Sequence, residues 1–180
     1  ASDVLRRGGT ILYPTDTIWG IGCDATCEEA VQKIYDIKQR HDEKSMLVLL
    51  DSADKLNRYV AEVPDIAWNI LVVADQPLTV IYPGAQNLAK NLIPGDGSIG
   101  IRIVADEFCK KLISGFGRPI VSTSANLSGM PWPGNFQKVD RTILKKVDYV
   151  VRWRQNEKSH GKPSGIIKIG LRGEVQVIRE

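Results

Sequence analysis

The segment from Thr10 to Arg40 constrains the fold more than any other part of the chain, because a short apolar run, a polar turn and a helix follow one another within it. Thr10 to Tyr13 is rich in strand-forming residues, and Pro14 ends the run because proline has no amide hydrogen to donate to a neighbouring strand. Thr26 and Glu29 match the pattern of a helix-capping pair. The segment therefore predicts a strand, a turn and a helix that begins at Thr26.

The turn and the end of the helix carry the polar groups of this segment. Thr15, Asp16 and Thr17 supply side-chain oxygens that hold a turn or reach a ligand, and the two glycines that follow leave the backbone open. Lys38 and Arg40 stand at the helix end, where cations suit the negative end of the helix dipole. Each feature alone fits an ordinary capped turn or a solvated helix end, whereas their conjunction favours a functional site.

Composition places the chain among ordinary globular proteins. Its 180 residues are 43% hydrophobic and 25% charged, which suits one domain with a sizeable core. The sequence has no apolar run near the length of a membrane span and no signal peptide, so we expect no membrane association. Three cysteines and two histidines argue against a disulfide framework and a zinc site, and we expect a cytoplasmic protein.

Charge is distributed unevenly along the chain. The net charge is +3, but from Arg141 onward ten Lys and Arg stand against four Asp and Glu, a net of +6. The first 140 residues carry 14 basic and 17 acidic residues, a net of −3. The basic C-terminal part is thus a candidate to face an anion.

The order of the remaining elements predicts an α/β fold. Helices are predicted at 64–73, 106–114 and 136–146, and strands at 46–50, 78–82, 98–104, 120–122, 149–151, 166–169 and 175–178. Alternation of strands and helices, without a repeat or a linker, predicts a single domain. Its core is expected to be a twisted open sheet of mixed parallel and antiparallel strands flanked by helices.

Three polar turns, at 14–17, 122–126 and 162–165, follow or precede strands. Ligands of open α/β sheets bind beyond the strand ends, so we expect these turns to converge on one site. Arg102 interrupts a predicted strand. It lies either on a solvated face or in a site where an anion compensates its charge.

Read together, these segments resemble the YrdC family of threonylcarbamoyl-AMP synthases. The resemblance is carried by GGTILYPTDTIWGIGCDA, IKQR, GIRI, STSANLSG, PSGIIKI and VIRE, in the expected order over essentially the whole chain. It implies one YrdC-like domain over residues 1–180, of the short bacterial type without the extra C-terminal domain of longer members. The implied enzyme is a nucleotidyltransferase that converts L-threonine, bicarbonate or CO₂, and ATP into threonylcarbamoyl-AMP and pyrophosphate. Other proteins then transfer the threonylcarbamoyl group to adenosine 37 of tRNA.

The resemblance also implies which residues form the site. The catalytic set is the KxR pair Lys38 and Arg40 with the SxN pair Ser124 and Asn126. Two anionic reactants must meet, so a lysine point charge, an arginine fork and two neutral donors suit the chemistry. ATP is expected to contact this set together with Ser98 and Arg179, and threonine is expected to contact Thr15, Arg102, Ser122 and Ser164. Mg²⁺ is expected to arrive through the nucleotide phosphates.

The chain departs from the family pattern at a few positions. Met46 stands where relatives often have leucine, Leu49 lies in a strand where longer relatives often carry a histidine, and Gly165 replaces a threonine. These departures affect the predicted substrate contacts and leave the KxR and SxN pairs intact.

Two other functions remain open from the sequence. An RNA-binding module is the main alternative, because Trp153 stands among basic residues in the segment VRWRQNEKSHGKPSG, although such a segment also fits a solvated loop. It would bind double-stranded RNA or tRNA in the same basic cavity without catalysis. The second is a regulatory or hydrogenase-maturation relative that uses the same fold on carbamoyl groups. The absence of zinc-finger cysteines and of an acylphosphatase-like region disfavours its multidomain form.

Overall fold

Nine strands form one sheet in the computed structural model, which describes residues 1–39, 46–158 and 161–180. Their bounds are β1 (Ile11–Tyr13), β2 (Gly20–Gly22), β3 (Leu47–Leu50), β4 (Leu78–Tyr82), β5 (Ile99–Ile103), β6 (Ile120–Ser124), β7 (Tyr149–Val150), β8 (Gly165–Ile169) and β9 (Val175–Arg179). The order across the sheet is β7-β1-β2-β6-β3-β5-β4-β8-β9. The β1/β7, β3/β5 and β4/β8 pairs are parallel and the other five are antiparallel. The predicted sheet of mixed direction is therefore confirmed.

Helices cover both faces of this sheet. Their bounds are α1 (Ser2–Arg6), α2 (Glu28–Lys38), α3 (Leu56–Tyr59), α4 (Asp65–Val73), α5 (Glu107–Phe116) and α6 (Arg141–Lys146). Side chains alternate along β1, so Leu12 joins the core under α2, α3 and α6, while Ile11 and Tyr13 join the second core under α1 and α5. Within the described ranges, no helix combines the length and the apolar character needed to cross a membrane.

Strand β2 corrects the prediction for the first turn. The sequence predicted an open glycine backbone there, whereas Gly20–Gly22 pairs with β1 on one side and with β6 on the other. A Cβ atom on Gly22 would lie 2.6 Å from the Val121 carbonyl oxygen and 2.7 Å from the Tyr13 ring. Glycine is thus required because neighbouring strands and a buried ring approach this backbone closely.

Two predicted helix boundaries were also wrong. Helix α2 begins at Glu28 with Cys27 as its N-cap, and the Thr26 hydroxyl instead donates a hydrogen bond of 2.7 Å to the Asp24 carboxylate. The single helix predicted at 136–146 is divided into a 3₁₀ turn (Phe136–Lys138) and α6. The division occurs because the Asp140 carboxylate accepts a hydrogen bond from a first-turn amide of α6 and caps that helix.

Candidate active site

The three polar turns meet at the ends of the strands, as predicted, around a cavity of about 250 Å³. Antiparallel pairing of β6 with β2 and β3 brings the end of β6 beside the starts of its two neighbours. The turn that precedes β8 and the end of β9 close the other side. The described lining residues are Thr17, Ile18, Gly20, Met46, Leu47, Arg102, Ser122, Thr123, Ser124, Trp132, Pro163, Ser164, Ile166 and Arg179.

The first turn is held by its own threonines. The Thr15 hydroxyl donates to the Ile18 carbonyl at 2.7 Å and accepts from the Thr17 amide at 3.1 Å. Thr15 is consequently buried behind the turn and does not line the cavity, whereas Thr17 does. The sequence had named Thr17 among the side-chain oxygens that hold this turn or reach a ligand, but had assigned the threonine contact to Thr15. The predicted contact of Thr15 with threonine remains a prediction.

Arg102 lies inside the protein and lines the cavity. Its side chain is 3% exposed, and Nη2 lies 3.0 Å from Oδ1 of Asp16, itself 9% exposed. The other Asp16 oxygen accepts a hydrogen bond from the Ala105 amide at 3.3 Å. The Nε atom of Arg102 is buried without a hydrogen-bond partner among the described residues. Arg102 therefore has a donor available for an anion, and the alternative of a solvated strand position is wrong.

A second guanidinium group lines the same cavity. Register places Arg102, Thr79, Ile166 and Arg179 in one row across β5, β4, β8 and β9. Nε and Nη2 of Arg179 donate to the Ser164 carbonyl at 3.0 and 2.7 Å. Burial and the nearby charge of Arg102 lower the pKa of Arg179. Two like charges face one cavity whose described lining contains no carboxylate, which favours an anionic ligand.

Three of the predicted serines line the cavity, and Ser122 and Ser164 are the two that are buried. Ser122 is 6% exposed and Ser164 is 2% exposed, and the Ser164 hydroxyl lies 2.8 Å from the Thr79 hydroxyl. Ser98 has a different position. Its hydroxyl donates to Asp96 at 2.6 Å within a turn, and it is not among the lining residues, so its predicted contact with ATP remains a prediction.

Lys38 of the KxR motif lies beside the SxN turn. The Lys38 ammonium donates to the carbonyl oxygens of Ser124 at 2.6 Å and Asn126 at 2.7 Å. The Asn126 side-chain amide donates to the carbonyls of Leu127 and Met130. Ser124 lines the cavity, whereas Lys38, which is buried, and Asn126 are not among its described lining residues. Arg40 lies outside the described residues. The catalytic roles assigned to this set remain predictions.

One basic residue of the segment around Trp153, Arg154, stabilises the fold. Arg154 donates from Nη1 to the Thr15 carbonyl at 3.3 Å and to the Asp106 carboxylate at 3.0 Å, and its Nε donates to Glu157. This cation therefore fastens the first turn to the start of α5. Its contacts were missed because they join residues far apart in sequence.

Trp132 is a further lining residue that sequence reasoning missed. It is 51% exposed and lies in the loop between the SxN turn and the Phe136 3₁₀ turn. That loop has neither helical nor strand periodicity, so no pattern pointed to it. Among the described residues, no group of three or more His, Cys, Asp or Glu is placed to hold a metal ion.

Known proteins are similar to this chain in sequence and in architecture. A family model described as Sua5/yciO/yrdC, "Telomere recombination", matches residues 3–180. The threonylcarbamoyl-AMP synthase of Psychromonas ingrahamii is 36% identical over 145 residues, which cover 78% of this chain and 75% of the relative. That of Vibrio parahaemolyticus is 32% identical over 168 residues, or 91% and 89% of the two chains.

A solved structure extends the similarity to three dimensions. The crystal structure of P. abyssi Sua5 complexed with L-threonine matches with a TM-score of 0.82 and 26% identity. The match covers 93% of this chain and 49% of the P. abyssi chain, so this chain spans about half the length of that protein.

Proposed function

The chain belongs to the Sua5/YciO/YrdC family, and from that premise we propose that it is a threonylcarbamoyl-AMP synthase. The substrates are L-threonine, bicarbonate or CO₂, and ATP. The observation that carries the proposal is the cavity with two guanidinium groups, several hydroxyls and no carboxylate among its described lining residues. Both reactants that must meet there are anions, so a cationic cavity lowers the cost of bringing them together.

Arg102 is the proposed partner of the threonine carboxylate. Its buried Nε has no acceptor among the described residues, and a buried donor without a partner is costly until a ligand satisfies it. The hydroxyls of Ser122 and Ser164 lie around the same cavity, where they can accept from the amine or donate to an oxygen of the substrate. The related P. abyssi Sua5 structure is a complex with L-threonine, which supports this side of the proposal.

The nucleotide is proposed to lie towards Ser124 and Arg179. The threonine amine first adds CO₂ and loses a proton, which gives a carbamate. A carbamate oxygen then attacks the α-phosphorus of ATP, the bond to the bridging oxygen breaks, and pyrophosphate leaves. Arg179 and the Ser124 hydroxyl would stabilise the charge on the phosphate oxygens. Lys38 stabilises the Ser124–Asn126 turn by donating hydrogen bonds to its carbonyl oxygens.

Mg²⁺ is proposed to enter with the nucleotide. This ion binds mainly through phosphate oxygens and water, with few protein ligands. A cavity without a carboxylate among its described lining residues fits a metal carried by the substrate, with the Ser124 hydroxyl as an available protein oxygen. The metal would neutralise part of the phosphate charge.

The product implies the rest of the pathway. We propose that threonylcarbamoyl-AMP passes to transferases that modify adenosine 37 of tRNA, and that the protein works in the cytoplasm. The relatives are named as synthases, which favours this function over an RNA-binding module that uses the same basic cavity without catalysis.

One incubation tests the proposal. The protein is mixed with ATP, L-threonine, bicarbonate and Mg²⁺, and threonylcarbamoyl-AMP is measured by mass spectrometry. We expect product only when threonine is present. Replacement of Arg102 by alanine should raise the KM for threonine, whereas Arg172→Ala, at an exposed residue outside the cavity, serves as the matched control. Pyrophosphate release independent of threonine, or salt-sensitive RNA binding without product, would contradict the proposal.

A further inference from the structure

Trp132 places a large aromatic surface at the rim of the cavity. Its indole is 51% exposed, although it lines the same cavity as the buried Arg102. An aromatic side chain of this size normally contributes to a core or an interface, and its exposure beside a cavity favours contact with a ligand. Two features indicate the ligand: the anchoring of the loop that carries the indole, and the charged residues of the cavity beside it.

The loop that carries Trp132 is anchored on both sides. Upstream, the Asn126 side-chain amide donates to the Met130 carbonyl. Downstream, the Phe136 ring lies 4.8 Å from the ring of buried Trp19. Pro131 and Pro133 flank the tryptophan and fix the backbone φ angle on each side, so the indole is presented by a restrained segment.

The cavity is polarised between its interior and this rim. Buried Arg102 supplies positive charge inside, exposed Arg179 adds a second positive charge to the cavity wall, and the described lining residues include no acid. A ligand that matches this arrangement has an anionic end and a flat, π-rich end. Among the proposed substrates only ATP has both, because threonine and bicarbonate contain no ring. Bases stack on aromatic side chains, so the indole can bind the nucleotide independently of its phosphates.

We propose that Trp132 is the stacking platform for the adenine base of ATP, with the phosphates directed to the cationic interior. This inference rests on the proposed function for the identity of the nucleotide and adds a residue that determines its binding. The competing arrangement, in which the indole covers the side chain of threonine, predicts a different kinetic effect.

The test measures binding of ATP alone by calorimetry to the full chain and to three variants. Trp132→Ala should weaken ATP binding by about 5- to 140-fold, the range of base stacking on aromatic residues. Trp132→Phe retains a ring and should recover most of the affinity. Trp153→Ala removes a tryptophan that is 59% exposed and lies outside the cavity lining, so it should bind ATP as the original protein does.

Inorganic tripolyphosphate separates stacking from a general loss of the site, because it has the phosphate charge without a base. Its affinity should be the same in the original protein and in Trp132→Ala. In steady state, Trp132→Ala should raise the KM for ATP and leave the KM for threonine unchanged.

Three results would overturn the inference: unchanged ATP affinity in Trp132→Ala, an equal loss of tripolyphosphate affinity, or a rise in the KM for threonine instead. Absence of ATP binding to the original protein would overturn it as well. Its failure is distinguishable from failure of the proposed function. A protein that makes threonylcarbamoyl-AMP equally well without Trp132 refutes only the stacking role, and one that binds ATP through Trp132 but makes no product refutes only the reaction.

Discussion

Replacement of Asp16 by alanine leaves the Arg102 guanidinium buried without its carboxylate partner. The two side chains are 9% and 3% exposed, and their charged atoms lie 3.0 Å apart. Removal of one member of a buried pair costs about 3–5 kcal/mol, because the remaining charge is uncompensated. We expect a loss of about 3 kcal/mol, since Arg102 borders a cavity that water can enter. For a domain of this size the melting temperature should fall by roughly 6–12 °C.

Urea unfolding followed by circular dichroism measures this loss of stability. Lys168→Ala is the matched control, because it breaks a surface pair with Asp96 whose side chains are 44% and 53% exposed. Such a pair contributes at most about 1 kcal/mol. Asp16→Asn keeps an acceptor for the Ala105 amide but removes the charge, so it should lose nearly as much stability as Asp16→Ala.

The double variant Asp16→Ala/Arg102→Met should lose less stability than the two single variants added together, because the buried cation is then gone. The reasoning would be refuted if Asp16→Ala cost no more than Lys168→Ala, or if Asp16→Asn restored full stability. The second result would mean that the hydrogen bond to Ala105 carries the effect, with no contribution from the ion pair.

Three further perturbations test other parts of the structure. Gly161→Ala should lower the free energy of unfolding by roughly 1–3 kcal/mol in a thermal melt, because its Cβ would clash with the Thr17 carbonyl oxygen. A maleimide at mildly alkaline pH should label Cys27 alone in the native protein, since burial raises the pKa of the other two thiols. Hydrogen bonds lower the pKa of Asp96 from 3.8 to about 2, so its stabilisation is full above pH 3.8 and is lost as pH falls towards 2. The stability difference between Asp96→Asn and the original protein, measured by urea unfolding, should therefore shrink over that range.

Each of these predictions has its own control. Gly115→Ala lies in α5 with no neighbouring atom within 4 Å of its Cβ position, and it should raise stability by roughly 0.5–1 kcal/mol. A destabilised Gly115→Ala would mean that loss of stability at Gly161 does not report the clash. Cys27→Ser should abolish native labelling, and labelling of a second thiol would show that the cores open. A constant difference for Asp96→Asn across the acid range would contradict its lowered pKa.

Apolar runs predicted most of the strands, because a strand that is buried on both faces is continuously apolar and can be recognised from its local sequence alone. Leu78–Tyr82 matches its predicted bounds, and the convergence of the three polar turns followed from strand ends alone. Strand β2 was missed, since the need for Gly22 arises from Val121 and Tyr13, which only the folded sheet brings close. Local hydrogen bonds displaced the predicted cap at Thr26.

The sequence also predicted most, but not all, of the residues around the cavity. Arg102, Ser122, Ser124, Ser164 and Arg179 were expected in one site, and the structure places all of them around the cavity. Ser98 was expected there too, but its hydroxyl donates a hydrogen bond to Asp96, two residues earlier in the chain. The residues missed lie in loops, where periodicity carries no information and contacts join distant parts of the chain.

The sheet order has a consequence for how the protein acquires its site during synthesis. The cavity takes side chains from Thr17 near the start of the chain and from Arg179 at the end of β9, on opposite sides of a nine-stranded sheet. Closing such long loops is slow, because the entropy of the intervening chain is lost before any contact is gained. A nascent chain that has reached Ser124 can pair β6 with β2 and β3, yet it lacks Ser164 and the second guanidinium group. Synthesis must therefore have passed Arg179 before the ligand site is complete.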